Sequence, residues 1–278
     1  MSEKTHVPDF APQWDLSSTP LKSTYLVCTT PRTGSNLLCF SLAKQGIGIP
    51  IEYLNLLGNG STQEFYTRIT NCDFKSDVAN GVSTTEICSK YIPQVIKHRT
   101  TANGVFGMKI FAHHFTNLYK DGNLSGLSAL LGCKPKIINL VRENLIDLTV
   151  SYIMAQTNQQ WHSNMTGSTI RNTIYNFDTF FDTMKDLNEI QHKWNAIFRW
   201  QDYDVLRITY KELSQQYTDT LKLVNEHLGF TDLEIPTPPI QRQVSEEKQK
   251  LIDLFTKDCR RNARQVRSAL QRVKNKHR

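Results

Sequence analysis

The 278 residues suffice for one large α/β domain or two small ones, and the lack of any linker-like stretch favours one. Apolar residues make up 39% of the chain and aromatics 10%, ample for a core, and no run reaches the ~18 apolar residues that a membrane-spanning helix needs. The formal net charge of +7 sits at one end, because residues 257–278 carry nine Lys/Arg against the single acid Asp258; the remaining body is near −1, which excludes a surface that is basic throughout.

The first residues, MSEKTHVPDFAPQWD, contain no apolar signal region, so a cytoplasmic location is expected, with residues 1–20 as a flexible arm. Tyr25 to Cys28 is then a short apolar run of the kind a buried parallel strand gives. Thr29 to Gly34 is a tight polar turn, and Ser35 opens an apolar-periodic helix that ends at Gly46. The junction suits an oxyanion. The first N–H groups of a helix lack intrahelical partners and carry the positive end of its dipole. Gly34 lets the backbone approach closely, Thr33, Ser35 and Asn36 add side-chain donors, and Arg32 adds a planar fork of charged donors. The turn has one glycine and no lysine, so it is not a complete nucleoside-triphosphate loop.

From Tyr53 to Val82 the chain is rich in Gly, Asn, Ser and Thr and long for a connection, and reads as a substrate-side lid or a plain surface excursion; residues 54–100 form a substrate-side insertion. Ser83-Thr84-Thr85-Glu86 is a capping box starting a helix to about His98, with a kink expected at Pro93. The second strand is Val105 to Phe111. It contains Lys109, and a lysine in an apolar strand is costly unless it reaches an anion or water. His113 and His114 follow, with His113 a reserve base.

Lys136 to Val141 is the third strand, ending at Arg142, and a helix follows Glu143-Asn144. The stripe from Phe177 through Phe198 marks a long amphipathic helix with a core role. Asp204 to Tyr210 is the fourth strand, and a helix then runs to Gly229. Pro236, Pro238 and Pro239 make a stiff crossing before a last helix that carries the basic tail, residues 257–278. That tail reads as a solvated end, or as a clamp over a polyanionic ligand or a partner surface. Six cysteines, at 28, 39, 72, 88, 133 and 259, contain no CxxC pair, which argues against zinc. The element order gives an α/β fold with a central parallel sheet, helices on both faces, and a ligand crevice at the carboxyl ends of the strands. Arg32, Lys109 and Arg142 all follow strand segments toward that crevice.

The run YLVCTTPRTGSNLLCFSL followed by IPIEYLN resembles the opening of the Stf0/NodH-type carbohydrate sulfotransferases. Their turn, Arg-Ser-Gly-Ser-Thr, holds the 5′-phosphosulfate of 3′-phosphoadenosine 5′-phosphosulfate; here it is Arg32-Thr33-Gly34-Ser35-Asn36. Their catalytic base lies in a Pro-x-Glu-aromatic context, which Pro50-Ile51-Glu52-Tyr53 matches at Glu52. Their Gly-Val-Trp-Gly-Gly-Lys matches Gly104 to Lys109, which makes Lys109 the group that stabilises the sulfuryl or leaving phosphate. Their His-Arg-Pro-Asp…Ser segment, whose arginine and serine bind the 3′-phosphate, places Arg142 and Ser151 in that role. Arg242, in Gln241-Arg242-Gln243, matches a further cofactor-side arginine, and Trp161 falls where the family has a tryptophan beside the acceptor. The resemblance implies sulfuryl transfer to a carbohydrate or glycolipid acceptor, one domain over residues 1–278, no metal, no nucleic-acid partner and a possible homodimer.

Two other classes use the same features. A P-loop nucleotide kinase would share the first unit, although the chain lacks the loop lysine and an evident Walker-B aspartate. A non-enzymatic anion- or nucleic-acid-binding protein would use the basic tail.

Overall fold

The computed structural model describes residues 9–118, 124–160, 172–199, 202–240 and 245–277. Strand β1 (Ser23–Thr29) is followed by helices α1 (Ser35–Lys44), α2 (Gly60–Thr70), α3 (Phe74–Ala79) and α4 (Thr84–Arg99). Strand β2 (Val105–Phe111) leads to α5 (Ala112–Leu118) and α6 (Leu124–Leu130), and β3 (Lys136–Val141) leads to α7 (Leu145–Asn158) and α8 (Phe177–Arg199). Strand β4 (Val205–Thr209) leads to α9 (Tyr210–Gln215), α10 (Tyr217–Leu228), α11 (Glu246–Arg261) and α12 (Ala263–Lys276).

The sheet order is β2-β1-β3-β4 and every pairing is parallel. Alternate residues of β1 enter different cores, as the two-residue side-chain period of a strand requires. Leu26 and Cys28 pack with Phe106, Met108 and Ile137 under α4. Tyr25 and Val27 pack with Leu38, Leu42 and Leu221 of α1 and α10. Both faces are therefore covered, and the strands read as continuous apolar runs because neither face meets water. A third cluster, of Phe180, Phe181, Leu251 and Phe255, joins α7, α8 and α11.

Gly107 explains how the chain crosses β2. A Cβ there would sit 2.4 Å from Cζ of Tyr25, so only glycine admits the tyrosine ring. The Tyr25 hydroxyl then donates to the Ile47 carbonyl at 2.5 Å. The Lys109 N–H donates to the Ile51 carbonyl at 3.1 Å. These two bonds lay residues 47–52 along the edge of β2 and bring Glu52 beside Lys109.

The polar stretch after Tyr53 differs from an irregular connection. It folds as α2 and α3, and Phe65, Tyr66, Ile69 and Phe74 are buried. Its polar residues act as caps: Asn59 accepts from the Ser61 N–H and Asp73 from the Ser76 N–H. Helix α4 is capped by Ser83, as its sequence predicts, and continues through Pro93 to Arg99. Residues 9–16 of the expected arm are docked. Arg99 is fully buried, pairs with Asp15 at 2.9 Å, and donates to the Asp9 carbonyl at 2.9 Å. A buried guanidinium needs such compensation, and Asp15 at the chain's start supplies it. The basic tail is helical: Val266, Ala269 and Leu270 of α12 lean on the third cluster, and Lys276 pairs with Glu189 at 2.7 Å.

Candidate active site

The turn after β1 is pinned from below. The Thr29 hydroxyl donates to the Leu140 carbonyl at 2.7 Å and lies 2.6 Å from the Thr33 hydroxyl, which donates to the Thr30 carbonyl at 2.9 Å. The Trp194 indole N–H donates to the Thr29 carbonyl at 2.9 Å. Arg32 (φ 67°) and Gly34 (φ 83°) take left-handed backbone conformations, which turn the chain sharply into α1. A Cβ on Gly34 would lie 2.8 Å from Cδ2 of Tyr210, so the turn is pressed against α9. The Thr33 hydroxyl is thus used inside the turn, whereas Arg32, Ser35 and Asn36 line the cleft.

Arg32 and Arg142 meet although 110 positions apart. Arg142 Nη1 donates to the Arg32 carbonyl at 2.6 Å, and Arg32 Nε donates to the Ser151 hydroxyl at 3.1 Å. The Arg142 guanidinium stacks on the Tyr210 ring at 4.1 Å and pairs with Asp147 through Nη2. Its Nε is buried with no partner among the described residues. Burial, and then the neighbouring Arg142 charge, bring the Arg32 guanidinium down to about 10. Asp147 also pairs with Lys248 of α11, at 2.8 Å. Burial pushes the Asp147 carboxyl up, but Arg142 and Lys248 outweigh it and hold the group below its ordinary value. Arg142 and Lys248 thus share the Asp147 carboxylate, with Arg32 bonded to Ser151 beside them.

A second group faces the first across the cleft. Lys109 is 5% exposed; its ammonium lies 2.8 Å from Glu52 Oε1 and donates to Asn36 Oδ1 at 2.5 Å. Glu52 Oε2 accepts from Asn55 Nδ2 at 3.4 Å. Burial raises the Glu52 carboxyl, but the Lys109 charge and hydrogen bond and the His114 charge win, and the group stays below its ordinary value. His113 and His114 stand 4.2 Å apart, centroid to centroid, beside this pair. Burial lowers both, and His114, which also feels His113, falls to about 4. Both imidazoles are neutral at pH 7.

One cavity of about 940 Å³ joins Arg32, Ser35, Asn36, Glu52 and Lys109 to the first turns of α2 and to residues 9–12. The stretch read as substrate-side does reach the cavity, through Asn55, Asn59 and Glu64. Sequence reasoning missed Asn55, Tyr210, Asp147 and Lys248 as members of the site. Asp147 carried a signal, being an acid in the first turn of a helix that opens after a strand-end arginine. Lys248 carried none, because α11 meets α7 only through tertiary packing. Trp161 and Arg242 lie outside the described residues.

The Stf0 sulphotransferase family model matches residues 24–258. The chain belongs to the Stf0 sulphotransferase family. The match runs from β1 into α11 and contains Arg32, Glu52, Lys109, Arg142, Ser151 and Lys248; α12 lies beyond it. Trehalose 2-sulfotransferase of Mycobacterium tuberculosis (strain ATCC 35801 / TMC 107 / Erdman) is 22% identical over 255 residues, 85% of this chain and 96% of that protein. The enzyme of the same name from Mycolicibacterium smegmatis (strain ATCC 700084 / mc(2)155) is 23% identical over 263 residues, 86% of this chain and 96% of that protein. Among solved structures, the sulfotransferase domain from the Synechococcus PCC 7002 olefin synthase aligns with a TM-score of 0.47 at 13% identity, covering 88% of this chain and 98% of that one. Stf0 membership makes the chain a sulfotransferase, hence a transferase, on a four-stranded parallel sheet flanked by helices. No helix among the described residues is long and apolar enough to cross a membrane.

Proposed function

We propose that the chain moves a sulfuryl group from 3′-phosphoadenosine 5′-phosphosulfate to a hydroxyl of a carbohydrate or glycoconjugate. The observation that carries this reading is the convergence of Arg32, Lys109 and Arg142 on the carboxyl edge of three adjacent parallel strands, with Glu52 on Lys109. The residues fit a doubly phosphorylated donor. Arg142 and Lys248 share the carboxylate of Asp147, and the Arg142 Nε is buried with no partner among the described residues. The α1 N-terminus adds free N–H groups beside Gly34.

The donor supplies an activated sulfuryl group, whose sulfur bonds to the acceptor oxygen as its bond to the 5′-phosphate oxygen breaks. Arg32, Ser35 and Asn36, with the loop N–H groups, hold the phosphosulfate end, and Arg142 and Ser151 hold the 3′-phosphate. Thr33 contributes through the turn it braces, and Arg242 is assigned to the same donor by the family pattern alone. Glu52 is ionised at neutral pH and takes the acceptor proton. The ammonium that depresses Glu52 also serves the leaving oxygen. As Lys109 turns its field toward the charge growing there, Glu52 becomes a stronger base when the acceptor proton must leave. The names of the two mycobacterial relatives support a sugar acceptor.

Calorimetric titration with 3′,5′-bisphosphoadenosine, with ADP and with ATP plus magnesium as controls, tests the reading. Binding that requires the 3′-phosphate supports it and justifies a screen of sugar acceptors. Preference for ATP with magnesium would replace it with a nucleotide kinase.

A further inference from the structure

We infer that the N-terminal segment 9–12 forms the acceptor end of the cleft, and that Asp9, together with Glu64 of α2, selects an uncharged, hydroxyl-rich sugar there. This rests on the proposed sulfuryl transfer and names the wall that recognises its acceptor. The cavity that holds Arg32, Glu52 and Lys109 extends to Asp9, Phe10 and Glu64. Residues 9–12 precede the family match, which begins at residue 24, so this wall lies outside what the family pattern assigns. It is nevertheless firmly placed. Arg68 Nη2 donates to the Phe10 carbonyl at 2.7 Å and pairs with Asp15 at 3.1 Å. Arg99 Nη1 donates to the Asp9 carbonyl at 2.9 Å, and the Leu16 N–H donates to the His98 carbonyl at 2.8 Å. The Phe10 ring meets Tyr53, the neighbour of Glu52 in the chain, edge-on at 6.0 Å, and Phe65 at 5.5 Å. Asp9 Oδ1 accepts from the Ala11 N–H at 2.8 Å, which holds the carboxylate in place.

The two ends of the cavity differ in chemistry. Arg32 and Lys109 stand at the end assigned to the donor. At the other end Asp9 and Glu64 join the wall, while Arg68 and Arg99 both pair with Asp15. Carboxylates accept hydrogen bonds from sugar hydroxyls, and Asn55 and Ser61 of the same cavity offer donors and acceptors. The carboxylates also repel an acceptor that carries phosphate or carboxylate, so like charge adds to the discrimination. A sugar held at this wall by some of its hydroxyls presents another to Glu52.

The test follows sulfate transfer by the full chain from radiolabelled 3′-phosphoadenosine 5′-phosphosulfate to glucose, maltose and trehalose, and to the anionic glucose 1-phosphate and trehalose 6-phosphate. Wild type should sulfate an uncharged sugar and prefer it to both anionic ones. Loss of a hydrogen bond to a charged group predicts a KM for that sugar roughly 10- to 100-fold higher in Asp9→Ala, with kcat and the affinity for 3′,5′-bisphosphoadenosine unchanged. Asp9→Asn, which keeps an acceptor oxygen, should recover part of the loss. Glu64→Gln, on a separate element, should raise KM in the same way, and it carries the test if Asp9→Ala does not fold. Preference for an anionic sugar, an unchanged KM in these variants, or a bisphosphate affinity that falls along with the sugar's would overturn the inference. So would a wild type that binds the bisphosphate yet sulfates none of the uncharged sugars. Absence of bisphosphate binding to the wild type would instead remove the donor reading itself, and this proposal with it.

Discussion

Arg142 donates to the backbone carbonyl of Arg32 across 2.6 Å, so the end of β3 fixes the conformation of the turn that follows β1. Arg32 has a left-handed φ of 67°, costly for a side-chain-bearing residue, and the Arg142 bond helps to hold it there. One guanidinium thus shapes the turn and, in the proposed reading, holds the 3′-phosphate. Arg142→Ala should weaken 3′,5′-bisphosphoadenosine binding by at least roughly 10- to 100-fold, more than loss of one phosphate contact alone, because the turn relaxes as well. Calorimetry on the variant measures this, and unchanged affinity would detach Arg142 from the site.

Glu52→Gln separates chemistry from binding. The amide still fills the space beside Lys109 but takes no proton. Once an acceptor is known, turnover should fall roughly 10²- to 10⁴-fold while bisphosphate affinity stays near the wild-type value. An active Glu52→Gln protein would assign the base elsewhere, with His113 first in line.

Gly34 tests the turn itself. Its φ is 83° and an added Cβ would strike Tyr210 at 2.8 Å. Gly34→Ala should cost about 1–3 kcal/mol of stability and weaken bisphosphate binding. Thermal unfolding together with calorimetry checks both, and a variant as stable as wild type would contradict the crowding.

Two groups lose their contributions in the same direction, as pH falls, but over different ranges. The Glu52 carboxyl is depressed, so its stabilising pairing with Lys109 is complete above the ordinary carboxylate range and is lost as pH falls through the lowered folded value. Turnover should therefore hold down to pH near the ordinary carboxylate value and fall only below it. The His114 imidazole is also depressed, from 6.5 to about 4, but here the favoured form is the neutral one. Between those values the unfolded chain binds the extra proton, so stability declines as pH falls, by up to about 3 kcal/mol. His114→Asn should remove that part of the decline, and its unfolding midpoint should gain on wild type as pH drops from 6.5 to 4. Parallel curves would show that the imidazole is not held neutral by its surroundings.

The strands were the most legible part of the chain. The bounds expected for β2 and β3, Val105–Phe111 and Lys136–Val141, are those observed, because strands buried on both faces need unbroken apolar runs and short ones. Arg32, Lys109 and Arg142 stood out because a cation within or just after such an apolar run needs an anion or water to meet it. The stretch 54–82 was not. Its polar residues resemble a loop in composition but act as helix caps, and the burial of Phe65 and Tyr66 depends on partners such as Tyr91 far along the chain. The pairing of Lys248 with Asp147 was equally hidden, since 101 positions separate them and only the packing of α11 on α7 joins them.

The strand order also constrains when the protein is able to form during synthesis. The first strand made, β1, is an interior strand, and its partners begin at residues 105 and 136. Until the chain is made through Phe111, β1 has neither partner, and one of its edges stays unpaired until Val141 follows. A nascent chain of this protein therefore carries β1 without its full set of partners until about half of the chain has been made. That interval, rather than the finished fold, is where chaperone dependence and aggregation should concentrate.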